Sequence, residues 1–144
     1  MTNLITLALL SGALAATSGG LLSHQTTVDH PTGVAQTQYR GDVIVEQKQL
    51  GTPAPGGRQS SLRCHWTAGL VVNREARHAS GSMLSRTFDR KSVIKGSRPG
   101  WCDTHRSSIR DEVARRTDEL HEHLVALAHE DHGVLRAEID RMRG

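Results

Sequence analysis

The chain reads as an α+β protein: a small antiparallel sheet of three to four strands packed against a long C-terminal amphipathic helix. Three observations carry that reading. Between Leu62 and Val72 six apolar residues recur at every second position against a mostly polar opposite face, the period of a strand with one buried face. From Asp103 onward apolar residues recur about every 3.6 positions, the period of a helix. Cys64 and Cys102 lie on either side of this change, as the only cysteines in the chain.

The first segment concerns compartment more than fold. Leu4 to Ala16 is an uncharged apolar run that ends in Ala13-Leu14-Ala15, followed by Thr17-Ser18-Gly19-Gly20. It has the length of a signal-peptide hydrophobic region and falls short of the roughly 20 residues that span a bilayer. Met1-Thr2-Asn3 lacks the usual Lys or Arg, so an uncleaved anchor and a core segment stand as competing readings. The expectation is a signal peptide over 1–16 and a periplasmic or secreted protein with no transmembrane span once mature. Arg outnumbers Lys fifteen to three, a bias that fits a GC-rich bacterial genome.

Residues 17–33, rich in Ser, Thr, Gly and His, read as a flexible leader, and 34–144 as a single small domain. Val43-Ile44-Val45 predicts a strand, with Gly41-Asp42 as a turn before it and a hairpin partner over 34–39. The Gly/Pro loop 51–60 excludes regular structure over Gly51-Thr52-Pro53-Ala54-Pro55-Gly56-Gly57. The strand at 61–73 is expected at the centre of the sheet, with Cys64 and Trp66 on its buried face. Glu75 to Ser82 reads as a polar turn, Met83–Phe88 and Ser92–Lys95 as short strands, and 96–100 as a loop. A helix over 103–142 follows, carrying Ile109, Val113, Leu120, Leu124, Leu127, Leu135, Ile139 and Met142 near one face. At 1.5 Å per residue it would be on the order of 58 Å long. It is therefore expected to bend at Gly133 or to project. Thr117 and Asp131 interrupt the Leu120-Leu124-Leu127 seam, which excludes a sustained coiled coil.

The two cysteines are expected to pair, because exported chains meet an oxidising compartment. Such a bridge would tie the start of the helix to the sheet. With four aromatic residues in 144, the core is thin, and small domains of this kind depend on covalent staples.

Charge is unevenly distributed. Residues 58–110 hold eleven Lys or Arg against three acids, whereas 111–144 hold nine acids against five Arg. The two parts should attract, within one chain or between copies. Arg63, His65, Arg74, Arg86, Arg90 and Lys91 are the candidate anion-binding residues.

Catalytic and cofactor motifs are not apparent. His121-Glu122-His123 lacks the second histidine that a zinc-protease helix needs, since position 125 is Val; His129 and His132 alone share a helical face among the clustered histidines. No metal or cofactor is expected. G-x-S-x-G and phosphate-loop signatures are missing from the sequence, and sparse aromatics argue against nucleic acid. The expected function is that of a non-catalytic envelope protein that binds another protein or an anionic envelope surface, with homodimerisation through the C-terminal helix as one route. The alternative is a small secreted hydrolase built from dispersed Ser, His and acidic side chains.

Overall fold

The computed structural model describes residues 21–56 and 60–142; the expected signal peptide at 1–16 lies outside them. Among the described residues four antiparallel strands form one sheet in sequential order: β1 (Leu21–Val28), β2 (Ala35–Leu50), β3 (Arg63–His78) and β4 (Met83–Pro99). Two helices, α1 (Cys102–Arg115) and α2 (Thr117–Arg141), follow and cover one face. The α+β class expected from the sequence is the one found.

Side-chain alternation decides which face is covered. On β3 the even-numbered residues from Cys64 to His78 point inward and are buried. On β2, Ala35, Thr37, Tyr39 and Gly41 do the same. The helices meet this face through Ile109, Val113, Leu120, Leu124, Leu127 and Ala128, forming a core with Trp66, Leu70 and Val72. A second apolar cluster of Val28, Ala35, Ala76, Leu135 and Ile139 closes the other end.

Several sequence expectations are corrected. The leader over 17–33 contains β1, whose Leu22 and Val28 are buried; its polar composition reflects a strand with one wet face. Gly41-Asp42 is no turn, because β2 runs straight through it and Gly41 instead gives Leu124 room to approach. The expected turn from Glu75 to Ser82 shrinks to its last residues, with β3 extending to His78. The two short strands and the expected loop as far as Pro99 are one strand, β4, interrupted by a bulge. There Lys91, Ser92 and Val93 stand opposite Gly69, between the pairs Ala68↔Ile94 and Leu70↔Arg90. Gly69 is required here, since a Cβ would sit 2.8 Å from the Arg90 carbonyl oxygen.

The helix neither bends at Gly133 nor projects. It breaks at Arg116 (φ −100°, ψ 23°), and α2 passes through Gly133 unbroken. Strands of 16 and 17 residues are roughly 50 Å long at about 3.3 Å per residue, so the sheet is long enough to carry both helices.

Candidate functional site

Cys64 and Cys102 form a disulfide, with their Cα atoms 4.9 Å apart. It joins the buried face of β3 to the first turn of α1. The Cys102 backbone N–H also donates to Gln49 Oε1 (2.6 Å), so the side chain of Gln49 satisfies one free donor of the helix start.

Between the two apolar clusters lies a buried ionic group. Arg74 continues the inward face of β3, and Asp131 falls on the inward face of α2; both are 1% exposed. Arg74 donates from Nε to Asp131 Oδ2 (2.8 Å) and from Nη2 to Oδ1 (3.3 Å). It also donates twice to Glu138 (2.9 and 3.2 Å) and once to the Leu84 carbonyl (3.1 Å). All five guanidinium N–H groups are thereby used. Asp131 further accepts from Arg86 Nη1 (2.5 Å) and from the Tyr39 hydroxyl (2.8 Å). Burial pushes the Asp131 carboxyl upward, but the hydrogen bonds from Arg74, Arg86 and Tyr39 outweigh it and hold it below its ordinary value. Burial, and then the bond to Asp131, drive the Tyr39 phenol well above its ordinary value. Two cations and two anions cancel, and every donor of Arg74 is occupied. This group is a charge-balanced structural element whose buried arginine has no donor left for a ligand.

A second polar chain ties the loops at the same end. His78 Nε2 lies 3.1 Å from Thr32 Oγ1, and Thr32 Oγ1 lies 2.7 Å from His30 Nδ1. His30 Nε2 reaches Asp140 Oδ1 at 2.7 Å, and His78 Nδ1 meets Ser80 Oγ at 2.8 Å. The backbone N–H of Thr32 and that of Ser80 each donate to the Nδ1 of the histidine two residues before (both 3.2 Å). Those contacts assign the proton of each ring to Nε2. The Thr32 hydroxyl then accepts from His78 and donates to His30, so both of its capacities are spent joining the β1–β2 loop, the β3–β4 turn and the end of α2.

The six candidate anion contacts do not form one patch. Arg74 is fully enclosed and neutralised, a correction that follows from its inward position on β3. Arg86 is bound to Asp131 and stacks 4.6 Å above the Phe88 ring. Arg90 pairs with Glu130 at 3.0 Å, and Lys91 is exposed within the bulge. Arg63 and His65 are exposed on the uncovered face, where Arg63 donates to Ser97 Oγ (3.1 and 2.7 Å).

The sequence attraction between basic middle and acidic C-terminus is realised within the chain, through Arg74, Arg86 and Arg90, and through Arg98 to Glu112 at 2.7 Å. The cations this leaves over include Lys48, Arg63, His65 and Lys95. The strand register groups them, with the single acid Glu46, at one end of the uncovered face: Lys48 lies opposite His65, and Thr67 lies between Glu46 and Lys95. Lys48 and Lys95 were not among the sequence candidates; their parity with Arg63 and His65 across the pairing is the signal that finds them. Among the described residues, no group of three His, Cys, Asp or Glu is arranged to hold a metal ion, and no helix is long and apolar enough to cross a membrane.

The fold and site define a four-stranded antiparallel meander backed by a broken helix and stapled by one disulfide. No family profile, curated protein or solved structure matches this chain.

Proposed function

We propose that this chain is an exported, non-catalytic binding module that attaches to an anionic envelope surface through the basic end of its uncovered sheet face. The observation that carries the reading is the division of cations. Those facing the helices are matched by C-terminal carboxylates, whereas Lys48, Arg63, His65 and Lys95 face solvent, and among the described residues none of the four joins an ion pair. Several exposed cations spread over neighbouring strands match a surface bearing many phosphates better than they match one small ligand. The disulfide and the apolar run over Leu4–Ala16 support export.

Co-sedimentation with vesicles of phosphatidylglycerol or phosphatidylcholine tests this. The protein is expected to bind the anionic vesicles alone and to be released by high salt. Changing Arg63→Glu together with Lys95→Glu is expected to weaken binding by roughly 30-fold or more, at about 1 kcal/mol per basic side chain near the surface. Equal binding to both vesicle types, or binding unchanged in the double variant, would defeat the reading.

A further inference from the structure

The two edges of the sheet are built differently. The outer edge of β4 carries the bulge at 91–93, with Ser92 at φ 55°, together with Arg86, Arg90, Lys91, Lys95 and Pro99. Bulges, charges and proline are the devices that stop an edge strand from pairing with another chain. The opposite edge carries neither bulge nor proline among the described residues. β1 covers β2 from Ala35 to Asp42 only, and among the described residues Val43–Leu50 has no neighbour on that side. This stretch reads Val-Ile-Val-Glu-Gln-Lys-Gln-Leu, without bulge or proline, and Ile44 and Val45 are 45% and 38% exposed.

We infer that Val43–Leu50 is the interface between two copies of this chain, paired antiparallel about a two-fold axis at Gln47. Directly opposed residues in an antiparallel pair share a face. Keeping the helices of both copies on one side therefore requires an axis that passes through a residue, not between two. An axis at Glu46 or at Lys48 would set like charges against each other. At Gln47, Glu46 of each copy faces Lys48 of the other, twice over, on the uncovered face.

On the covered face the same axis sets one further opposite-charge match, while the two exposed Arg106 side chains nearest the axis are each paired with Asp103 of their own copy. The Cys102 N–H bonds to Gln49, Arg106 and Arg110 line a depression with Val45 and Gln47, and Val113 borders Val43. Hence α1 runs from the level of Gln49 toward that of Val43. A two-fold axis at Gln47 brings Asp103 of one copy level with Arg110 of the other. The length also fits, because Gly51 (φ +81°) turns the chain aside immediately after Leu50, where β1 of the other copy would otherwise be met. This interface shares Lys48 with the anionic-surface reading, and the two are told apart because the vesicle test changes only Arg63 and Lys95, on neighbouring strands.

One added strand pair lies at the small end of specific interfaces, below about 1,200 Å², so the dimer is concentration-dependent. Light scattering on the purified, oxidised protein from about 1 μM to about 1 mM is expected to show the mass rising from one copy to two. Lys48→Glu, on an exposed side chain, converts two attractive pairs into repulsive ones and is expected to weaken dimerisation about tenfold. Glu46→Lys combined with Lys48→Glu restores the pairing and the dimer. A single copy at every concentration, whether residues before Leu21 close the edge or nothing does, overturns the inference. So does a Lys48→Glu variant that dimerises as well as the parent, with circular dichroism confirming that it is folded.

Discussion

Asp131 is the side chain on which the far half of the molecule turns. Its carboxylate neutralises Arg74 where neither group reaches water. Asp131→Ala would leave an uncompensated buried guanidinium, and the expected loss is about 3–5 kcal/mol in urea unfolding. Replacing both partners, Arg74→Met with Asp131→Leu, is expected to recover most of that loss, because an apolar pair needs no desolvation of charge. The same carboxylate gives the wild type its acid sensitivity. Its folded pKa is depressed, so its contribution is complete above the unfolded value of about 3.9. That contribution disappears as pH falls through the lower folded value; the apolar double variant should lose less stability over that range. Arg74 and Asp131 were both legible in part. Arg74 shares parity with Leu70 and Val72, and Asp131 stands seven residues after Leu124 and four before Leu135. Each looks like an error in its own apolar pattern, and only together do they explain one another.

Strand β4 shows how backbone space, invisible in a hydropathy pattern, shapes the sheet. Gly96 pairs with Trp66, and a Cβ at Gly96 would lie 2.6 Å from the indole ring. Trp66 is 1% exposed at the centre of the core and cannot withdraw cheaply. Gly96→Ala is therefore expected to cost about 1–3 kcal/mol as an overpacking change, with a lowered urea midpoint and altered tryptophan fluorescence; an unchanged midpoint would mean that the ring repacks freely. The helical region teaches a related lesson. Its 3.6-residue period was readable throughout, but the break at Arg116 carries no proline or glycine to announce it. Arg116 instead pairs with Glu119 (2.8 Å) and the Thr117 hydroxyl donates to the Ala114 carbonyl (2.6 Å), local bonds that accept the change of direction.

Stability depends on connecting a long, narrow sheet to its helices. The disulfide closes a separation of 38 residues between β3 and α1, worth roughly 4 kcal/mol in the chain-entropy description. Cys64→Ser with Cys102→Ser is expected to lower unfolding free energy by about that amount, measured by urea denaturation without reductant, and to loosen α1 first because its tie to β3 is lost. The pairing itself was accessible early, since two cysteines in a chain with an export-like start have one partner each.

Amino-acid order alone specified the class of fold, the buried face of β3, the apolar stripe of the helices and the cross-link, because each depends on spacing along one element. Three-dimensional packing decided which arginines are spent in ion pairs, that residues 21–28 form a strand, and that among the described residues Val43–Leu50 of β2 has no neighbour on its outer side. Those outcomes depend on distances between segments far apart in the chain, such as the 57 residues separating Arg74 from Asp131. A local pattern records which way a side chain points; what it meets there is set by the element packed against it.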